Sequence, residues 1–357
     1  MKKKISIKEI ATNLNISQTT VSLVLNGKAK EKGISDVLIE KVKRYADQHH
    51  YKPNHLAKSL STGRTMTIGL MVEKVSDYFF AQLVFHLELL AHSAGYQIFF
   101  CSSENNSERA KDQIRLFRHL CVDGFIITPP PNIQAQVQEL IDEKIPVVLF
   151  DRLIDEVETN YVVLNNHESA RNAVKHLIQN GYKKIGYVEL DSSQSQMRDR
   201  RHGYLEAMAN ASAIPYIERI PFASTRTQIA DLVSDFITNH PQLDALLFAT
   251  NYLAIGGIKA LSASGKKVPD HMAIVSFDDH EAFDAYLPRI TAVAQPIDEL
   301  ANQLFQVLMH KINHPNDEFL KQVIVPSQLI VRESSRKLSQ KGQASSEETS
   351  SVTKTKY

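Results

Sequence analysis

At 357 residues, with 43% hydrophobic and 23% charged residues, the chain is too long for one ordinary core and reads as two or three globular domains. No apolar run reaches the roughly 18 residues that span a bilayer, and MKKKISIKEI lacks the apolar stretch and cleavage site of a signal peptide, so a cytoplasmic protein with no membrane partner is expected. Net charge is only +1, but residues 1–64 hold thirteen Lys/Arg against five Asp/Glu, a net +8 that leaves −7 on the remainder. A basic head on an acidic body is the footprint of a phosphate-binding module with a different job behind it.

The head opens with ISIKEIATNLNISQTTVSLVLN, residues 5–26. Ile7, Ile10, Ala11 and Leu14 form one helical stripe, and Ser6 with Glu9 is a capping box that starts the helix at Ile7. Asn15-Ile16-Ser17 reads as a tight turn, with Ser17 capping a second helix over Gln18–Leu25 that turns Val21, Val24 and Leu25 inward and exposes Gln18, Thr19 and Ser22. Two short helices across a three-residue turn make a helix-turn-helix, whose second helix enters the major groove by its N-terminal end. Ser35 caps a third helix, Asp36–Gln48, which closes the core with Leu38, Val42, Tyr45 and Ala46. GKAKEKG between helices two and three is a basic loop suited to the sugar-phosphate backbone. Next, residues 53–64 carry Leu56, Ala57 and Leu60 on one side of a helix too short to stand alone, a hinge that orders only when packed.

From Thr67 the period changes. TIGLMV, YQIFFCS, GFIIT and PVVLF are short apolar runs separated by helical patterns, and a second series restarts at 161 and runs through MAIVSFD. Such alternation predicts an α/β body of two lobes, each a parallel sheet flanked by helices, with a cleft between them. The N-lobe is expected over about 65–160 plus 291–318, the C-lobe over about 161–290 plus 319–335, and 336–357 as a disordered polar tail. Domains are thus expected at 1–52 (DNA-binding head), 53–64 (hinge) and 65–335 (ligand binding).

Ligands of open α/β sheets bind beyond the strands' carboxyl ends. There the sequence places Asp77 and Phe79, Asp151 and Arg152, Met197 and Arg200, Asn251 and Tyr252, and Asp278. Carboxylates, an amide, an arginine and aromatic faces suit a polyhydroxyl ligand. Each also has a structural reading: Asp151-Arg152 as an ion pair, Asp278 and Asp279 as helix caps, Phe79 and Phe80 as core. Catalysis finds no support. There is no phosphate loop, GxSxG or HExxH, the fourteen histidines are scattered, and Cys101 and Cys121 read as buried free thiols. No catalytic residue, metal or cofactor is expected.

SIKEIATNLNISQTTVSLVLNGK and YKPNHLAKSLSTGRTMTIGLMV, followed in order by VDGFIITPP, PVVLFDR, HLIQNGYKKIGYV, DRRHGYLEAM and KVPDHMAIVSFDD, resemble the lactose-repressor family of bacterial transcription regulators. The likeness covers about residues 5–335. It implies a repressor that binds a pseudo-palindromic double-stranded operator as a homodimer, with a helix-turn-helix head, a hinge helix and a periplasmic-binding-protein-like effector body. The implied effector is a small molecule, usually a sugar; a protein partner, or a solute-binding protein without a DNA role, are the alternatives. Candidate DNA contacts are Ser6, Ser17, Gln18, Thr19, Thr20, Ser22, Leu23 and Asn26 in the head, and Asn54, Ala57, Lys58 and Leu60 at the hinge. Leu23 stands where the family usually has Arg or Lys, and Tyr252 where it commonly has Asp.

Overall fold

Ser6 and Glu9 cap each other reciprocally in the computed structural model, which describes residues 5–25, 27–49, 51 and 63–337. Glu9 N donates to Ser6 Oγ at 3.2 Å and Ser6 N donates to Glu9 Oε2 at 2.8 Å, starting α1 (Ile7–Leu14). Asn15 stops the helix in the left-handed region, φ 55°, where its N–H still reaches the carbonyls of Ala11 and Thr12. The backbone N–H of Thr20 donates to Ser17 Oγ at 3.0 Å, opening α2 (Gln18–Leu25), and Ser35 caps α3 (Asp36–Gln48). Ile10, Val21, Val24 and Val42 centre the small core. Ile39, one residue past the expected Leu38, takes the inner place; Leu38 and Tyr45 are half-buried. The chain divides into this unit, residues 1–65, and a second, 66–357. The hinge stretch 53–62 lies outside the described residues.

The second unit holds two six-stranded sheets, with elements numbered along the chain. The N-lobe sheet comprises β1 (Thr67–Val72), β2 (Gln97–Ser102), β3 (Gly124–Ile127), β4 (Val147–Phe150), β5 (Asn160–Leu164) and β11 (Gln322–Val325), all parallel in the order β2-β1-β3-β4-β5-β11. The C-lobe sheet comprises β6 (Ile185–Leu190), β7 (Tyr216–Ile220), β8 (Ala245–Phe248), β9 (Ala273–Phe277), β10 (Thr291–Ala294) and β12 (Gln328–Ile330). Its order, β7-β6-β8-β9-β10-β12, repeats that of the first, with β12 antiparallel. Central strands β1, β3, β4, β6, β8 and β9 are buried throughout, because helices cover both faces.

In the N-lobe the helices are α4 (Tyr78–Ser93), α5 (Ser107–His119), α6 (Gln134–Asp142) and, returning late, α12 (Ile297–Asn313), which lies against α4 and β3–β5. The C-lobe has α7 (Asn166–Gln179), α8 (Ser195–Asn210), α9 (Arg226–Asn239), α10 (Asn251–Ala263) and the short α11 (Ala282–Ala285). Among the described residues no helix is long and apolar enough to cross a membrane.

Three boundaries differ from the sequence expectation. β5 belongs to the N-lobe sheet although 161 was expected to open the C-lobe, β10 belongs to the C-lobe sheet although 291 was expected to return to the N-lobe, and β11 is an N-lobe strand. Apolar runs report that a strand is buried, not which of two like sheets buries it. The chain therefore crosses between lobes at 165, 295–296 and 326–327. The expected tail also starts too early: Tyr182 OH donates to the Arg336 carbonyl at 2.9 Å and Arg336 pairs with Asp270 at 2.7 Å, so residue 336 is anchored. Residues beyond 337 lie outside the described residues.

α8 approaches α7 so closely that a Cβ on Gly203 would stand 2.1 Å from the His167 carbonyl oxygen. Backbone cannot yield as a side chain can. Gly203→Ala is therefore expected to lower stability by about 1–3 kcal/mol through overpacking, read as a lower urea midpoint for the body.

Candidate functional site

Strand ends from both lobes converge on one cleft. Glu73 follows β1, Asp151 follows β4, Leu190 ends β6, Thr250 follows β8, Asp278 follows β9 and Gln295 follows β10; all line a cavity with about 50 Å³ of free space. Asp77, Phe79, Phe80 and Arg152 join from the N-lobe, and Gln194, Gln196, Met197, Arg200 and Tyr252 from the C-lobe. Eight of the nine residues picked from the sequence meet here. Asn251 does not: one residue into α10 it is buried, and the cavity wall passes through Thr250 and Tyr252 instead.

Two buried guanidiniums organise the charges. Arg152 donates through Nε to Asp151 at 3.1 Å, through Nη1 to Asn105 at 3.3 Å and through Nη2 to Glu73. Burial works against its charge, but the Glu73 and Asp151 carboxylates outweigh it and raise the pKa. Arg200 donates through Nε to Asn166 at 2.8 Å and through Nη1 to the Ala249 carbonyl at 2.6 Å, with Asp278 at 3.4 Å. Its guanidinium carbon also sits 3.7 Å from the Phe277 ring centroid. The ion-pair reading of Asp151-Arg152 and the ligand reading are thus both physically available at one place. Asp151 and Asp278 hold φ of 68° and 65° at matching strand ends, a left-handed backbone that L-residues other than glycine seldom adopt and that clusters at binding sites.

The acids respond to this confinement. Burial raises the pKa of Asp278 against the counter-pull of Arg200 and of Gln295, which donates to it at 2.6 Å. Asp77 caps α4 by accepting from Phe79 N at 3.0 Å, yet burial and then the nearby Asp278 push it up to about 6. Burial and Glu73 also raise the Tyr252 phenol. Phe79 and Phe80 are both nearly buried, both line the cavity and both pack on Phe150, so neither is purely core. Asp279 turns away to Arg332 at 2.9 Å.

On the other side of the cavity the start of α8 is clasped by N-lobe loops. Gln194 Nε2 donates to Asn105 Oδ1 at 2.6 Å, Leu153 N to Ser195 Oγ at 2.8 Å, and Arg198 makes a two-pronged pair with Asp155 at 2.7 and 3.1 Å. Opposite, the rings of Tyr78 and His280 meet at a tilt of 43° with their centroids 4.5 Å apart. The lobes close on each other along both rims.

In the head, α2 presents Gln18 and Thr19 to solvent with Thr20, Ser22 and Leu23 half-exposed beside them. The hydroxyls of Ser6 and Ser17 serve as helix caps, and Ser17 also meets Thr20 Oγ1 at 2.8 Å. Lys28, Lys30 and Lys32 stand exposed in the following loop. Asn26, Asn54, Ala57, Lys58 and Leu60 lie outside the described residues.

Comparison with known proteins agrees with both units. Residues 6–54 match the bacterial regulatory proteins of the lacI family, and residues 174–335 match the periplasmic binding protein-like domain. The chain carries a lacI-family DNA-binding domain at its head and a periplasmic binding protein-like domain behind it. It is 27% identical to the HTH-type transcriptional repressor PurR of Vibrio campbellii over 337 residues, 93% of this chain and 99% of that protein. The structure of the lac repressor dimer bound to operator and the anti-inducer ONPF superposes with a TM-score of 0.83 at 21% identity, covering 94% of this chain and all of that one. A complex of the regulator CelR with cellobiose gives 0.67 at 22%, covering 93% of this chain and all of that one.

The chain is a DNA-binding transcriptional regulator, and its cleft contains residues that sequence reasoning missed. Glu73 and Gln295 directly follow strands and were open to the strand-end rule. Gln194 and Gln196 carried no such signal, since only the lobe contact brings them in. A roomier hollow of about 270 Å³ lies at the far, amino ends of β4 and β5, but no buried charged side chain lines it. Arg152→Met is expected to destabilise the body by about 3–5 kcal/mol, because Glu73 and Asp151 would be left in a nearly buried site without the cation that pairs them. Chemical denaturation of the full chain measures this.

Proposed function

We propose that this regulator is a repressor whose operator affinity is set by a carbohydrate effector held in the interlobe cleft. One observation carries the reading: both lobes aim polar side chains into a single small cavity, where the Gln196 Oε1 oxygen is buried without a hydrogen-bond partner. Such an atom calls for a donor from outside the protein. Asp77, Phe79, Asp151, Arg152, Met197, Arg200, Tyr252 and Asp278 are assigned to the effector, with Asn251 acting behind them. The free space equals roughly one or two liquid waters, so a sugar enters only when the lobes part and the Asp155–Arg198 rim opens.

Operator binding is assigned to Gln18, Thr19, Thr20, Ser22 and Leu23 on α2, with Ser6, Ser17 and Asn26 beside them. Leu23 cannot make the bidentate bond to guanine that Arg supplies and reads instead by contact, as with a thymine methyl. The hinge residues Asn54, Ala57, Lys58 and Leu60 are assigned to the minor groove, Leu60 as a wedge. β1 begins at Thr67, so a change in lobe closure reaches the hinge along the chain itself. A cytoplasmic setting and the absence of turnover belong to the same reading.

A homodimer is supported by a surface feature. Phe85, Leu89, Phe99, Phe100, Leu116 and Leu120 are exposed on three consecutive elements, α4, edge strand β2 and α5 with the residue that caps it. Among the described residues, six of the thirteen exposed large apolar side chains thus concentrate beside one sheet edge, and a second copy would cover them.

Operator selected from a random DNA pool tests the whole. With +8 on each head, binding should weaken steeply with salt, and a log–log slope shallower than about −3 would count against phosphate-dominated reading. Sugars screened against that complex should change its affinity. Asp278→Asn should reduce effector affinity about tenfold or more while operator binding of the effector-free protein persists; an unchanged response would move the effector elsewhere.

A further inference from the structure

Four carboxylates line the cleft, Glu73, Asp77, Asp151 and Asp278, against two guanidiniums, Arg152 and Arg200. Fully ionised, the wall carries −2. Arg152 spends all three of its nitrogens on Asp151, Asn105 and Glu73. Arg200 spends two on Asn166, Ala249 and Asp278. An adjoining hollow of about 240 Å³ shares Phe79, Asp278 and Gln295 with the cleft and adds Asp279, Glu281 and Asp284, of which Asp279 and Asp284 are held by Arg332. The region therefore carries more negative charge than its cations offset.

The hydrogen-bond inventory leans the same way. Gln196 is 4% exposed, lines the cavity, and its Oε1 accepts nothing, while its Nε2 is directed at Asp151 at 3.5 Å. Asp77 faces Glu73 and Asp278 rather than a cation of its own, and it accepts from the backbone at the start of α4, from Phe79 N at 3.0 Å. Open acceptors with a negative wall want donors and positive charge.

We propose that the cleft selects a donor-rich cation, a small polyol carrying a protonated amine, with the ammonium against Asp77 and hydroxyls on Gln196 Oε1 and Arg200. The proposal rests on the cleft being the effector site. Anionic sugar derivatives are excluded by the same charges, and neutral sugars leave the wall uncompensated. The titratable groups that share the cavity with Asp77 are the carboxylates of Glu73, Asp151 and Asp278, the guanidiniums of Arg152 and Arg200, and the Tyr252 phenol; the His280 ring lies beyond Tyr78. Asp77 is poised near 6, and an ammonium would hold it ionised. Affinity for the amine is therefore full above that pH and falls about tenfold between roughly pH 7 and pH 5.

Calorimetry on the full chain with matched sets in the gluco, galacto and manno series tests this, each set comprising the 2-amino sugar, the parent hexose and its 6-phosphate. At least one amine should bind about tenfold more tightly than its parent, the phosphates should not bind, and the amine's affinity should fall about tenfold on acidification. Asp77→Asn keeps an N-capping side chain, and it should remove both the preference and its pH dependence. A parent hexose binding as well as its amine, a phosphate binding, no amine binding, or a preference surviving in Asp77→Asn each overturns the proposal. Parent-hexose binding that is lost in Asp278→Asn would leave the cleft reading standing. Amine binding untouched by both substitutions would overturn the two together.

Discussion

The body depends on keeping two guanidiniums charged in a place with little water. Arg152 and Arg200 are each about 3% exposed or less and each sits beside carboxylates delivered by strand ends. A buried ion pair contributes little net stability, since desolvation offsets most of the attraction. The carboxylates at Asp151 and Asp278 moreover sit on left-handed backbone, which itself costs of order 1–3 kcal/mol per residue. A cavity maintained at such expense is selected for what enters it, not for holding the lobes together.

The same side chains are bolted to the lobe crossings. Arg200 holds Asn166 just past the first crossing, and Asp278 accepts from Gln295 in the second. At the third, Ser327 N donates to Asn165 Oδ1 at 2.9 Å, which ties it back to the first. A ligand that pulls on Arg200 or Asp278 thus acts on the connecting segments about which the lobes turn. The rim pair Asp155–Arg198, more exposed and screened, offers a weaker resistance that opening can overcome.

Much of this was legible in the residues. The capping box, the three head helices and the strand–helix alternation follow from short-range rules that the structure obeys, and the strand-end rule found most of the cleft. What escaped is what depends on distant chain. Period two says nothing of which sheet β5, β10 or β11 joins, and Gln196 reaches the cavity only because α8 is clasped by the 151–155 loop. Arg200, chosen as a ligand contact, is also a brace on Asn166 and the Ala249 carbonyl, a double duty that no local pattern announces.

The triple crossing also orders events during synthesis. When the ribosome has released residues through 290, β5 and β9 both present bare edges, because β11 and β10 are still to come. α12, which covers the N-lobe face at β3–β5, is missing too. Neither lobe is a complete folding unit on its own stretch of chain, so both close almost together, within residues 291–330. Truncation anywhere before that point leaves two open sheets rather than one finished lobe, and exposed edges of that kind are what chaperones and proteases recognise.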